Sequence, residues 1–225
     1  MPRIARLVVS DVLHHATQRG NNRQDVFLTD DDREFYLSVL NKQSQRYGLV
    51  VLGYCLMTNH VHLLVRPQQA ESLAQALGRT HFIYAQRFNV EHARSGHLWQ
   101  ARFYSCPAED GSLFTILRYV EQNPVRAGIV GHAWKYPWSS AAVHVGDRRD
   151  AGLIDMAYWA EQIGNEDWRR FLQESVDPVR LAEIRRRTVV GRPLGSQAFV
   201  GQVEKKLGRP LTYRPAGRPR RTEIG

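Results

Sequence analysis

Residues 54–65, with the sequence YCLMTNHVHLLV, decide how the rest of the chain is arranged. Apolar runs before and after a Thr-Asn pair predict two buried strands joined by a tight turn. Side chains alternate between the faces of a strand, so His60 and His62 lie on one face and Val61 on the other. Two imidazoles on one face can form half of a metal site or half of a general-base site, and ordinary hydrogen-bonded histidines give the same pattern.

Outward from this hairpin, the apolar periodicity alternates between that of strands and that of helices. It predicts strands over 3–18, 49–57, 60–66 and 98–106, and helices over about 30–47, 73–92 and 112–122. This order, strand–helix–strand–strand–helix–strand and then a helix, is typical of the split βαβ, or ferredoxin-like, class. We therefore expect an α+β fold with an antiparallel four-stranded sheet, helices on one face, and the other face free to hold a ligand.

The length of 225 residues suits one well-cored domain plus something smaller. We predict a sheet domain over 1–145, a helical connector over 146–177, and a basic extension over 178–225 with helices near 180–187 and 196–207. No apolar run approaches the roughly 20 residues of a membrane span. The N-terminus lacks the pattern of a signal peptide, and the two cysteines lie in apolar settings. These features predict a cytoplasmic protein with no membrane partner.

The net charge of +9 is concentrated at one end of the chain. Residues 1–177 contain 19 Lys and Arg against 19 Asp and Glu, whereas residues 178–225 contain 12 against 3. A neutral body with a basic tail is typical of a protein that meets a polyanion. Because the tail shows no amphipathic aromatic face, nucleic acid is favoured over a membrane surface.

A tyrosine and an asparagine in the third predicted helix are further candidates. A tyrosine in an apolar helix is usually a core residue, and Tyr119 needs a metal or a base nearby to act as a nucleophile. Asn123 lies four residues later, on the same helix face if the helix persists. Its carboxamide can complete a metal shell, although Asn-Pro is also a common capping pair.

These motifs resemble those of the single-tyrosine HUH transposases, and within them the REP-associated tyrosine transposases. The resemblance covers about residues 5–145 and is carried by three stretches and one turn. They are the His60-Val61-His62 motif after Met57-Thr58-Asn59, the run Tyr119-Val120-Glu121-Gln122-Asn123-Pro124-Val125-Arg126-Ala127-Gly128, the strand Leu98–Phe103 and the turn Arg19-Gly20-Asn21.

The resemblance implies that residues 1–145 form a catalytic domain in which His60 and His62 hold a Mg²⁺ or Mn²⁺ ion. It further implies that Tyr119 attacks a phosphate of single-stranded DNA, forming a 5′-phosphotyrosine link and freeing a 3′-hydroxyl. Asn123 stands where insertion-sequence relatives usually have a glutamine, and the REP-associated branch has this shorter residue. We take it as the third metal ligand.

The expected partner is single-stranded or hairpin DNA, bound by a monomer or a homodimer. The turn at 19–23, the interleaved aromatic and basic residues of 98–106, and the Gly-Arg-Pro repeats of the tail provide the candidate contacts. The DNA-binding residues we predict are Arg19, Arg23, Trp99, Arg102, Arg126, Arg218, Arg220 and Arg221. The alternative is a non-catalytic nucleic-acid-binding protein in which Trp99, Phe103 and Tyr104 stack on bases and no bond is broken.

Overall fold

The computed structural model describes residues 6–163 and 166–211, and within them the sheet has four strands in the order β2-β3-β1-β4. The strands are β1 Leu13–Arg19, β2 Leu49–Met57, β3 His60–Pro67 and β4 Tyr104–Ala108. All neighbouring pairs are antiparallel. Helix α1, Asp30–Tyr47, joins β1 to β2, and helix α2, Ser72–Glu91, joins β3 to β4. The predicted α+β, split βαβ class is confirmed.

Helix α1 begins and ends where local chemistry predicts. The Thr29 hydroxyl accepts from the backbone N–H of Asp32, and the Asp32 carboxylate accepts from the backbone N–H of Thr29, so both groups form a capping box. Gly48 ends the helix with a φ of 62°, a left-handed conformation that glycine adopts at low cost. These two signals fix the point at which β2 starts.

The expectation that helices cover only one face of the sheet is wrong. Helices α1 and α2 pack on the face that carries Val61 and Leu63, but helix α3, Leu113–Glu121, packs with Leu64 on the other face. Strand β2 is apolar and buried along nearly its whole length, and a strand of that kind needs cover on both faces. Gly53 permits the close approach, since a Cβ there would lie 2.3 Å from Leu117 Cδ1.

Strand β4 starts at Tyr104 rather than at residue 98. The consecutive side chains of Leu98 and Trp99 both join the core beside α2, together with Phe103. Neighbouring residues of a strand face opposite ways, so this stretch cannot pack its aromatic residues and remain extended. The first strand is likewise shorter than predicted and begins at Leu13.

Much of the later part of the chain packs on the α3 side of the sheet, whereas Phe199 and Val203 of the last described helix pack with Leu7 and Val9. Its helices are α4 Asn123–Arg126, α5 Ala141–His144, α6 Met156–Ile163, α7 Trp168–Phe171, α8 Pro178–Val190 and α9 Gln197–Leu207. Trp168, Ile184 and Leu194 join the same core as α3. The predicted boundaries at 145 and 177 stay a prediction, but side chains from all three parts share one core. Among the described residues, no helix combines the length and the apolar character that crossing a membrane requires.

Candidate active site

A cavity of about 470 Å³ opens where β1 and β3 meet α3, α4 and α8. The cavity is lined by all four residues predicted from the sequence as metal ligands or nucleophile, His60, His62, Tyr119 and Asn123. Its lining residues are His15, Thr17, Arg19, Met57, His60, His62, Gln100, Tyr104, Tyr119, Asn123, Arg126, Ala127, Arg185, Thr188 and Val189.

The two imidazoles of β3 lie side by side, as strand alternation predicts. The ring centroids of His60 and His62 are 5.0 Å apart, with the planes at 80°. In the register with β1, His60 is opposite Arg19 and His62 is opposite Thr17. His62 is buried and His60 is half-buried, so the pair spans the depth of the cavity.

Tyr119 lies beside the deeper imidazole. Its ring centroid is 5.5 Å from that of His62 and 5.5 Å from that of His15, and it stands nearly perpendicular to both. Helix α3 is anchored by Ile116 and Leu117, which are fully buried in the core. Anchoring by the apolar face holds the tyrosine, itself buried, against the sheet beside His62.

The ring nitrogens of the pair are arranged to present Nε2 to the cavity. His60 Nδ1 lies 2.6 Å from the side-chain oxygen of Asn59, whose amide nitrogen donates to the carbonyl of Arg23. His62 Nδ1 is engaged by His15 Nε2 at 3.0 Å. With both Nδ1 atoms in hydrogen bonds inside the protein, the remaining nitrogen of each ring is available to a cation.

Both imidazoles are held neutral, which is the form that binds metals. Burial, together with the nearby Arg19 cation, lowers the pKa of His60 to about 4. Burial and the surrounding His60, His15 and Arg126 lower the pKa of His62 well below its usual value. The described residues contain no cluster of three or more His, Cys, Asp or Glu side chains that could hold a metal ion. A cation here would therefore need an amide, phosphate or water oxygen to complete its shell.

Asn123 lines the cavity and is the first residue of α4, directly after the end of α3. Its amide nitrogen lies 3.1 Å from the carbonyl oxygen of Tyr119 and 2.9 Å from that of Val120, so it donates to the last turn of the helix. The side-chain oxygen is the group that could meet a cation. Asn123 thus caps the C-terminal end of α3, whereas the N-cap of α4 is Gln122, which makes no side-chain cap. The role of Asn123 as a metal ligand stays a prediction.

Two arginines flank Tyr119. The guanidinium of Arg126 lies 4.6 Å from the ring centre, and that of Arg185, from α8, lies 6.0 Å from it. Arg126 Nη2 donates to the Tyr119 carbonyl at 2.6 Å, while its Nε and Nη1 are buried without a hydrogen-bond partner among the described residues. Burial lowers the pKa of Arg126, but a guanidinium remains charged at neutral pH.

The other predicted DNA contacts fall into different surroundings. Arg19 is exposed and lines the cavity, and Arg23 and Arg102 are exposed outside it. Trp99 packs against α2, where its indole N–H donates to the carbonyl of His81 at 3.0 Å. Their roles in DNA binding stay predictions. Arg218, Arg220 and Arg221 lie outside the described residues.

His15, Arg185 and Thr188 also line the cavity but were not among the residues predicted from the sequence. His15 had a signal, because His15, Thr17 and Arg19 alternate along β1 on the face that holds the histidine pair. Arg185 and Thr188 had none, since α8 reaches the cavity only through packing against β4 and β1. A basic helix there predicts only a charged surface.

A split βαβ sheet that presents a His-x-His pair and a helical tyrosine to one cavity is the arrangement of the single-tyrosine HUH class. The sequence profile described as "Transposase IS200 like" matches residues 8–123, about half of the chain. The chain belongs to this IS200-like transposase family.

The chain is also similar to two proteins whose names assign them to the REP-associated tyrosine transposases. A curated protein of Haemophilus influenzae, whose name assigns it to the REP-associated tyrosine transposases, is 28% identical over 130 residues, covering 53% of this chain and 73% of that protein. A solved REP-associated tyrosine transposase bound to a REP hairpin superimposes with a TM-score of 0.55 and 17% identity, covering 68% of this chain and 88% of that one. At that identity the second likeness concerns the fold.

Proposed function

We propose that this transposase cleaves and rejoins hairpin-forming single-stranded DNA through a 5′-phosphotyrosine intermediate. The observation that carries the proposal is the position of Tyr119, whose ring stands against His62 inside the cavity. A tyrosine that served only the core would not be expected to share a cavity with two neutral imidazoles and two arginines.

Hairpin DNA is the proposed partner because the solved relative is bound to a REP hairpin. Arg19, Arg126 and Arg185 surround the cavity with positive charge that suits a phosphate backbone. Tyr104 lines the same cavity and is 37% exposed, so its ring is open to base stacking. Phe103, in contrast, is 4% exposed and stacked under Arg6, which removes it from that role.

The donor set fits a divalent cation. His60 and His62 would hold it through Nε2, and the Asn123 oxygen is the proposed third protein ligand. Mg²⁺ or Mn²⁺ suits such a mixed nitrogen and oxygen set with open positions for phosphate. When bound, such an ion supplies Lewis-acid stabilisation and orientation of the scissile phosphate.

The covalent step belongs to Tyr119. Its phenolic oxygen forms a bond to the scissile phosphorus while the bond from phosphorus to the 3′ oxygen breaks, and the phenolic proton passes to solvent as the 3′ oxygen gains one. The Nε and Nη1 groups of Arg126, which have no partner in the described part of the chain, can donate to the phosphate oxygens, where charge accumulates in phosphoryl transfer. The phosphotyrosine bond conserves the energy of the broken linkage, so a second 3′-hydroxyl can reverse the reaction elsewhere.

The test mixes the full chain, Mn²⁺ or Mg²⁺ and a panel of 5′- and 3′-labelled hairpin oligonucleotides, and then separates the products on a denaturing gel. We expect a covalent protein–DNA adduct that disappears in Tyr119→Phe. Tyr158→Phe, a tyrosine on α6 outside the cavity, is the matched control and should retain the adduct. Tight binding of hairpins with no adduct under either metal would favour the non-catalytic nucleic-acid-binding alternative.

A further inference from the structure

His15 is a buried imidazole in the cavity wall that the proposed chemistry does not use. Its Nε2 lies 3.0 Å from His62 Nδ1, and its Nδ1 lies 2.7 Å from the hydroxyl oxygen of Thr188 on α8. The Thr188 hydroxyl in turn lies 2.8 Å from the carbonyl oxygen of Ile184. A continuous chain of hydrogen bonds therefore runs from helix α8 to the histidine pair.

The proton positions along this chain follow from its last member. The Ile184 carbonyl oxygen can only accept, so two oxygens 2.8 Å apart require the Thr188 hydroxyl proton between them. Thr188 must then accept from His15 Nδ1–H, which leaves His15 Nε2 without a proton. His62 Nδ1 must carry the proton that joins the two rings, and His62 Nε2 is left with its lone pair.

The geometry around the chain suits this arrangement. The ring centroids of His15 and His62 are 5.3 Å apart, the planes are inclined by only 6°, and the two nitrogens are 3.0 Å apart, so the rings meet edge to edge in nearly one plane. An N–H of one ring therefore meets the in-plane lone pair of the other. His15 and Thr188 are each 1% exposed, so water does not compete for their hydrogen bonds. Ile184, one turn before Thr188, is fully buried and fixes α8 against the sheet.

We infer that Thr188 and His15 are positioning residues that hold His62 in its Nδ1-protonated tautomer, so that helix α8 completes the cation site of the sheet. The inference rests on the proposed function in one respect, that the ligand of His62 is a divalent cation. Hydrogen bonds of this kind orient metal-binding imidazoles and raise their basicity. Helix α8 thus belongs to the active centre in addition to adding positive charge.

The first measurement needs neither metal nor DNA. Long-range ¹H–¹⁵N correlation spectra of histidine-labelled protein separate the two neutral tautomers. We expect His62 and His15 to be protonated at Nδ1 in the wild-type chain. An Nε2-protonated His62 overturns the inference, whatever the enzyme does to DNA.

The second measurement is the affinity of the full chain for Mn²⁺, determined by electron paramagnetic resonance. Thr188→Val keeps the branched side chain and removes the hydroxyl, and we expect it to weaken Mn²⁺ binding by about 10- to 100-fold. Thr188→Ser restores the hydroxyl and should bind as the wild type does. The matched control is Thr80→Val, because Thr80 is also fully buried in a helix and donates to the carbonyl four residues earlier at 2.8 Å.

The outcomes separate the inference from the proposed function. Wild-type affinity in Thr188→Val overturns the inference. Equal weakening in Thr188→Val and Thr80→Val also overturns it, because the loss then comes from helix packing. A wild-type chain that binds no Mn²⁺ and forms no adduct contradicts the proposed function, while the tautomer spectrum still decides how Thr188 and His15 hold His62.

Discussion

Arg126 lies over the face of Tyr119, with its guanidinium 4.6 Å from the ring centre and its Nη2 donating to the Tyr119 carbonyl at 2.6 Å. One residue thus contacts both the ring and the backbone of the proposed nucleophile. Its buried Nε and Nη1 have no partner among the described residues. We interpret this as a guanidinium held ready for phosphate oxygens, since a buried donor without a partner is otherwise costly.

We expect Arg126→Lys to lower the rate of adduct formation on the order of 10²-fold, the usual cost of removing one donor from a developing anion. Lysine keeps the charge but loses the planar fork that can serve Tyr119 and a phosphate together. The rate is measured by quenched single-turnover reactions with a labelled hairpin. Arg46→Lys is the control, because Arg46 is exposed on α1 and its guanidinium also lies over a tyrosine ring, that of Tyr47, at 5.4 Å. Equal rates for wild type and Arg126→Lys would exclude this role.

Two substitutions distinguish the role of Asn123 as a helix cap from its proposed role as a metal ligand. Asn123→Ala removes both the amide donors and the oxygen, and should weaken Mn²⁺ binding and metal-dependent cleavage. Asn123→Asp keeps an oxygen ligand but loses the donors to the carbonyls of Tyr119 and Val120. If the oxygen binds metal, Asp restores Mn²⁺ affinity while the unfolding midpoint falls. If both variants bind Mn²⁺ as the wild type does, Asn123 is a cap only.

Glu121 fastens α3 to the later helices from the side opposite the cavity. Its carboxylate accepts from the Ser140 hydroxyl at 2.5 Å, from His144 Nδ1 at 2.5 Å and from the Trp168 indole at 2.9 Å, and the residue is fully buried. Hydrogen bonds to a buried charged group are among the stronger ones, and removing that group leaves its partners unsatisfied.

We expect Glu121→Gln to lower the free energy of unfolding by about 2 kcal/mol or more. The measurement is urea denaturation monitored by the fluorescence of the five tryptophans, of which Trp168 contacts Glu121. Glu91→Gln is the control, since Glu91 makes only an exposed pair with Arg87 at 3.8 Å and should change stability by less than about 1 kcal/mol. Similar losses in the two variants would show that the Glu121 network does not stabilise the fold.

The parts of the fold that were predictable from the sequence rest on local signals. The cap at Thr29, the stop at Gly48 and the alternation of His60 and His62 each depend on a few adjacent residues. The stretch around Trp99 was mistaken for a strand because its aromatic residues suit a strand. In the structure the consecutive side chains of Leu98 and Trp99 both pack in the core beside α2, which a strand does not allow. A local sequence pattern cannot show whether strand propensity or packing against a distant helix decides the conformation.

The parts that escaped prediction depend on contacts between distant residues. Thr188 meets His15 across 173 positions of sequence, and nothing near Thr188 marks it as different from any other helical threonine. The cover of the second sheet face by α3 had a signal in the doubly apolar β2, which the assignment of a free face overlooked. The relative positions of site residues could therefore be predicted from the sequence only for residues on the same strand or helix.

The role of the basic tail in DNA binding is better tested by substitution than by deletion. Removing 178–225 would take Ile184, Thr188 and Leu194 out of the core, so a loss of DNA binding could reflect unfolding. Replacing Arg218, Arg220 and Arg221 with glutamine keeps the chain length and alters charge alone. We expect weaker hairpin binding. We also expect the negative slope of log affinity against log salt to become less steep, by about 0.7 for each phosphate of single-stranded DNA that the variant no longer neutralises.

Fluorescence anisotropy across a salt series measures that slope, and the matched control is Lys42, Arg46 and Arg79 replaced with glutamine, three exposed cations on α1 and α2. These lie on the face of the sheet away from the cavity, so equal charge is removed where no DNA is expected. A slope that changes equally in both triple variants would mean that net charge alone governs the affinity. An unchanged slope in the tail variant would show that the three arginines do not bind the DNA backbone, because phosphate neutralisation must appear in the salt dependence.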